Sequence, residues 1–316
     1  MTAGPVVWLC PGQGAQKVGM GKDLAERFPA ARDTLQAVDE ALGVALSRLM
    51  FTGPEEELTA THNAQPAILA HSAAVFAVVR DVVRHAPPVA AAGHSLGEYT
   101  AYVTAGALAA PAAAGLVRRR GELMHQAGTA RPGTMAAVLG LATADVEAAC
   151  REASAAGGVA VTANLNAPDQ TVISGDPVTV ARAGEACKAR GAKRVLPLKV
   201  SGAFHSPLMA PAAAPLRAAL EAAPWREPAF PVVANATAEP VREAATARRL
   251  LADQLTAPVR WVACMQRAAE LAGAGARFIE IGPGTVLGGL LKRIVAGGNV
   301  VSLGSADEVS KFLEAA

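Results

Sequence analysis

Pro88-Val89-Ala90-Ala91-Ala92-Gly93-His94-Ser95-Leu96-Gly97-Glu98-Tyr99 is the stretch around which the chain is organised. Its first five residues are small or apolar, as a buried strand requires, and an apolar-periodic run from Tyr99 to Leu108 follows. Between the two stands G-x-S-x-G, a turn that carries a serine from a strand end to a helix start. Gly93 and Gly97 suit that turn, because a Cβ at either position would meet neighbouring backbone. Ser95 is then lifted over the end of a sheet at a helix N-terminus, whose free N–H groups favour an oxyanion. This reads as a nucleophilic serine. The same motif also fits an ordinary strand–helix turn, so the rest of the chain must supply the other catalytic parts.

The 316 residues suggest about two domains and a large buried core. An apolar fraction of 52% with 18% charged residues describes a folded globular chain, not a disordered one. A net charge of +2 argues against bulk electrostatic binding to nucleic acid. Cys10, Cys150, Cys187 and Cys264 lie far apart and form no C-x-x-C, so neither a metal site nor a disulfide framework is expected and a reducing cytoplasm is the default. No signal-peptide pattern opens the sequence. The most apolar stretch, Ala101 to Val117, is broken by Thr104, Gly106, Pro111 and Gly115, and reads as buried helices and not as a membrane span.

Working outward, Val6 to Cys10 is a short buried strand that ends in Pro11-Gly12-Gln13-Gly14. That loop lacks the residues of a phosphate-binding loop. Its glycines allow a close backbone approach, so Gln13 could supply one arm of an oxyanion hole, or the loop could be a plain connection. Helical periodicity covers 22–50, and Pro66 is expected to start a helix through Val83 that contains His71. Helices are expected at 97–108 and 111–126, with a linker over 128–133. The second of these carries Arg118-Arg119-Arg120, which point about 100° apart. Two are solvated and one could face inward toward an anion, but spacing does not say which.

From 131 to 200 the pattern changes to β-α-β-β-α-β, the split unit of a ferredoxin-like fold. Its strands are expected at Met135–Leu141, Val159–Asn164, Gln170–Ser174 and Lys193–Val200. Thr143 and Asp176 are the expected helix caps, the latter followed by Pro177. This unit is an insertion into a larger unit made of 1–130 and 201–316. His205 then follows in a loop, where it is the best candidate for the base that Ser95 needs. His62, His71, His85 and His125 lack that context, and His94 is expected to point to another side of the turn. The last third reads as a strand at Phe230–Asn235, helices at Arg248–Leu255, Trp261–Ala272 and Leu287–Val295, and strands at Arg277–Ile281 and Val300–Leu303.

Taken in order, Pro11-Gly12-Gln13-Gly14, Gln65-Pro66, Gly93 to Glu98, Arg120-Gly121 with Met124, Asn164 with Asn166, Gly202 to Ser206, Gln254 and Gly282-Pro283-Gly284 resemble the malonyl-CoA:acyl carrier protein transacylases, of the fatty acid or stand-alone polyketide type. The resemblance spans essentially the whole chain. It implies an α/β-hydrolase-like large domain with a mostly parallel sheet and the inserted ferredoxin-like domain. It also implies ping-pong transfer of malonyl from malonyl-CoA to the phosphopantetheine thiol of an acyl carrier protein, by a cytoplasmic monomer with no cofactor or metal. By the same resemblance Ser95 is the nucleophile and His205 its base, oriented by the backbone carbonyl of Gln254. Gln13 and Leu96 form the oxyanion hole, and Arg120 grips the malonyl carboxylate. His94, Phe204, Asn164 and Met124 support the site, with Phe204 expected to crowd an α-methyl branch. Lys193, Arg194, Lys292 and Arg293 are candidates for docking an acidic carrier. The alternative is an acyl hydrolase on the same scaffold, with water as the second acceptor.

Overall fold

Six strands form the sheet that carries the serine turn in the computed structural model, which describes residues 4–81 and 88–315. The strands of the chain are β1 Val6–Cys10, β2 Pro88–Gly93, β3 Thr134–Leu139, β4 Ala160–Ala167, β5 Gln170–Gly175, β6 Arg194–Pro197, β7 Val232–Val233, β8 Pro240–Val241, β9 Arg277–Ile281 and β10 Asn299–Leu303. The larger sheet runs β10-β9-β1-β2-β7-β8, and only the β7–β8 pair is antiparallel. Parallel strands need helices on both faces, and the period of two in β1 shows them. Val6, Trp8 and Cys10 pack into one apolar cluster, together with Ile68 and Leu69 of helix Thr61–Val79. Val7 and Leu9 pack into a second cluster, with Trp261 of helix Trp261–Ala272 and Leu287 of helix Val286–Ile294.

The parallel register aligns Cys10 with Gly93. The loops that leave β1 and β2 therefore emerge side by side, which sets Gln13 beside Ser95. Contact there is close. A Cβ on Gly12 would stand 2.5 Å from the His94 carbonyl oxygen, and one on Gly97 2.1 Å from that of Cys10.

The smaller sheet is antiparallel throughout, in the order β4-β5-β3-β6. Helices Thr143–Ala155 and Pro177–Ala189 cover one face, packing Val146 and Val180 with Val138 and Ile173 of the strands. This is the ferredoxin-like arrangement. From the other face, Met135, Ala163 and Val172 join the core of the large sheet. One strap ties the two sheets: Val259 N–H donates to the Ala163 carbonyl at 2.8 Å, and Leu165 N–H donates to that of Val259 at 2.9 Å.

Several expected boundaries move. The periodic stretch 22–50 is three helices, Lys22–Arg27, Pro29–Leu42 and Leu46–Thr52, because Pro29 and Gly43 punctuate it. The helix expected from Pro66 starts at Thr61 and contains that proline at its sixth position, where the missing N–H leaves the His62 carbonyl without its ladder bond; its described end is Val79, and Val83 lies outside the described residues. The helices expected at 97–108 and 111–126 are Gly97–Thr104 and Ala110–Ala130. Gly128 belongs to the second, and it is glycine because a Cβ there would lie 2.3 Å from the Ser201 carbonyl oxygen. Thr143 is the first helical residue and not a side-chain cap, and its hydroxyl meets that of Thr171 at 3.1 Å. Asp176 does cap its helix, accepting from Thr179 N–H at 2.9 Å. The strand expected at 230–235 shortens to β7, and the expected helix 248–255 is Ala244–Asp253. Helices Ala210–Ala222 and Ala306–Glu314, and the short strand β8, carried no expectation.

Candidate active site

The turn after β2 holds Ser95 at φ 53°, in the left-handed region that costs a side-chain-bearing residue about 1–2 kcal/mol. A Cβ on Gly93 would stand 1.9 Å from the carbonyl of Gly97, so only glycine lets the turn close. Asn235, just past β7, clamps the turn. Its Oδ1 accepts from Ser95 N–H at 2.7 Å and its Nδ2 donates to the Gly93 carbonyl at 2.7 Å.

Ser95 Oγ lies 2.8 Å from His205 Nε2. His205 Nδ1 donates to the carbonyl of Gln254 at 2.9 Å, with that of Ala257 at 3.2 Å. Those carbonyls fix the proton on Nδ1 and leave Nε2 free to accept one from serine. Burial, helped by the charge of Arg120, pushes His205 from its ordinary 6.5 down to about 3, so the imidazole is neutral.

Of the three consecutive arginines, Arg118 and Arg119 pair with Glu122 near the surface, at 3.1 and 3.6 Å. Arg120 is buried, with 1% of its surface exposed. Its guanidinium donates to Gln65 Oε1 at 2.7 Å, Gln254 Oε1 at 2.9 Å and Ser95 Oγ at 3.0 Å, and sits over the Tyr99 ring, 5.8 Å from its centroid. Among the described residues no carboxylate touches it directly. Glu98 is the nearby buried acid. Its Oε2 accepts from Gln254 Nε2 at 2.7 Å and from Asn235 N–H at 2.9 Å.

Ser95, His205 and Arg120 open into a cavity of about 270 Å³. The N–H groups of Gln13 and Leu96, which border it, find no hydrogen-bond partner among the described residues. They are free to meet a developing negative charge. The walls include His94, Met124, Asn164 and Phe204. Met124 Sδ accepts from Gln65 Nε2 at 3.4 Å, which holds the glutamine toward Arg120. His94 does turn aside, its Nε2 bonding Asn166 Oδ1 at 2.8 Å and its ring tilted on Trp261, yet it still borders the cavity beside Ser95. At the rim, Gln13 Nε2 and Ser201 Oγ both meet Thr61 Oγ1 at 3.2 Å, linking three segments.

The other histidines stand elsewhere. His62 meets His125 edge-on with centroids 5.9 Å apart, His71 is buried in its helix, and His85 lies outside the described residues. Lys193, Arg194 and Arg293 gather at one end of the smaller sheet, where Leu139 is paired with both Arg194 and Gln170, and Lys292 precedes Arg293 in the chain. Arg293 bonds Gln170 Oε1 at 2.7 Å and pairs with Asp169, so its charge is already matched. Lys193, Arg194 and Lys292 are exposed and have no ion pair among the described residues. Among those residues, too, no group of three or more His, Cys, Asp or Glu converges as a metal site would require. No described helix is long and apolar enough to cross a membrane.

Sequence reasoning missed Asn235 and gave Glu98 and Gln65 no role at the site. An asparagine at a strand end and an acid inside a helix carry no periodic signature, and only the folded arrangement brings them together.

Compared with known families, residues 7–308 match the acyl transferase domain. The malonyl CoA-acyl carrier protein transacylase of Bacillus subtilis is 44% identical over 92% of this chain and 90% of its own length. That of Escherichia coli is 43% identical over 91% and 92%. Among solved structures, a malonyl-transacylase in complex with a type II polyketide acyl-carrier protein superposes with a TM-score of 0.93 at 40% identity, covering 99% of this chain and all of that one. The acyl carrier protein S-malonyltransferase of Vibrio cholerae gives 0.92 at 39% identity over 97% and 99%.

Proposed function

Because the chain belongs to the acyl transferase family, among its malonyl-CoA:acyl carrier protein transacylases, we infer that it moves malonyl from coenzyme A to the phosphopantetheine thiol of an acyl carrier protein through a malonyl-serine ester. The observation that carries the assignment of roles is the meeting of three groups at one oxygen: Ser95 Oγ lies 2.8 Å from a neutral histidine and 3.0 Å from a buried guanidinium. The first makes the serine a nucleophile. The second selects an acyl group that ends in an anion.

His205 Nε2 takes the proton of Ser95, and Oγ attacks the thioester carbonyl. The Gln13 and Leu96 N–H groups receive the oxyanion, one such donor being worth about 3–4 kcal/mol. As the intermediate collapses, the C–S bond breaks and His205 returns the proton to the departing thiolate. The ester remains, with its free carboxylate on Arg120, whose fork suits bidentate binding. The carrier's thiol then gives its proton to His205 and attacks the ester, and Oγ recovers the proton as it leaves. The two half-reactions share one site, which is ping-pong catalysis. Every proton moves through side chains named here, so the cycle calls for no cofactor. Phe204 borders the acyl cavity and is the residue set to crowd an α-methyl branch. Lys193, Arg194 and Lys292 offer an acidic carrier an approach. Four free, buried cysteines support a cytoplasmic location.

Intact mass after mixing with malonyl-CoA tests this reading. One malonyl group per chain is expected, absent in Ser95→Ala and discharged by a holo carrier protein. Release of coenzyme A without adduct or acceptor would mean hydrolysis instead.

A further inference from the structure

The cation of the acyl site reaches its nearest buried acid through a single amide. Arg120 Nη2 donates to Gln254 Oε1 at 2.9 Å, and Gln254 Nε2 donates to Glu98 Oε2 at 2.7 Å. A side-chain amide has two orientations that exchange its oxygen and nitrogen. Against a guanidinium only the oxygen is tolerable, because the nitrogen would set donor against donor. The guanidinium on one side and the acceptor on the other choose the orientation together, and Glu98 supplies that acceptor, with the Ser95 carbonyl at 3.0 Å as a second. Glu98 is itself held, since the same Oε2 accepts the backbone N–H of Asn235 at 2.9 Å.

We propose that Glu98 is a specificity-determining positioning residue: by accepting from Gln254 Nε2 it turns Gln254 Oε1 toward Arg120, and so holds the guanidinium where an acyl carboxylate meets it. The inference rests on the malonyl-transfer reading given above. Glu98 acts through Gln254 and not on the reacting atoms. Loss of the acceptor leaves Gln254 Nε2 held by the Ser95 carbonyl alone, so the amide swings and Arg120 shifts or loses a bond. A neutral acyl group makes no use of Arg120's charge, so the damage falls on malonyl and not on acetyl.

The role asks for an acceptor at the reach of Oε2, not for a negative charge. Among the described residues Glu98 Oε1 has no hydrogen-bond partner, and burial pushes the carboxyl up to about 7. A proton carried on Oε1 leaves Oε2 accepting from the same two donors.

Two conservative substitutions separate reach from charge. Glu98→Gln keeps the reach and removes the charge, whereas Glu98→Asp keeps the charge and is one methylene shorter. The readout is the malonyl-to-acetyl preference, taken as the ratio of kcat/KM for loading of Ser95 from the two coenzyme A thioesters. Glu98→Asp is expected to lower that ratio by about tenfold, and Glu98→Gln to keep it within about threefold of native. Gln254→Met breaks the same bridge from its other side; it should lower the ratio by a similar factor, and it carries the test if Glu98→Asp does not fold. The opposite order of the two Glu98 variants, equal losses for both acyl groups, or an unchanged ratio in Glu98→Asp or Gln254→Met overturns the proposal. A native protein that forms no malonyl ester overturns the functional reading itself, whereas native loading with variants that keep the native ratio overturns this inference alone.

Discussion

Arg120 is the residue at which burial meets the proposed specificity. A guanidinium with 1% exposure and only neutral acceptors around it is held at a cost that an incoming carboxylate removes. Arg120→Ala should therefore lower kcat/KM for malonyl loading by about 100-fold or more, while acetyl loading changes far less. Stopped-flow release of coenzyme A from each thioester measures both, and equal losses would remove the clamp from the account. At this scale the sequence was partly readable. Ser95 and His205 stand out because their turn and loop chemistry is local. Arg120 did not separate from Arg118 and Arg119 by spacing, since helix geometry sets their directions without saying which direction is the core. Asn235 was hidden altogether, because its role is to satisfy a peptide N–H that lies 140 residues earlier in the chain.

Helices and strands show the same division between local and distant causes. Trp261–Ala272 and β9 fall where periodicity puts them. Helix Ala110–Ala130 overruns its expected end because Gly128 answers a passing backbone and not a helix stop. Glu280 is a further case of a strand residue whose task belongs to another element. It is fully buried at the end of β9, and its carboxylate accepts the N–H groups of Leu287 at 3.0 Å and Gly288 at 2.9 Å. Two of the donors that helix Val286–Ile294 leaves open at its N-terminus are thereby satisfied. Glu280→Leu strands both, and should reduce unfolding free energy by about 2–4 kcal/mol in urea titrations. A change below about 0.5 kcal/mol would mean that water or a shifted helix replaces the cap.

For the molecule as a whole, the acid side of its stability follows from buried imidazoles. Burial pushes His71 down to about 4 from its ordinary 6.5, so between those values the unfolded chain binds a proton that the folded one refuses. Stability is present above pH 6.5 and falls as pH drops toward 4, by about 3 kcal/mol from this residue. His205, lowered further, adds to the same slope. His71→Leu should flatten the dependence of denaturation midpoint on pH across that window; an unaltered slope would assign it to other groups. The strap between the sheets has a different consequence. Val259 bonds β4 through both its N–H and its carbonyl, and it lies two residues beyond Ala257, whose carbonyl faces His205 together with that of Gln254. Anyone transplanting residues 131–200 between relatives would cut the chain twice and yet sever three joints. The third is the collar of carbonyls around His205, so under the proposed mechanism a chimera built without its native 254–260 should load acyl groups poorly even where both parent pieces fold.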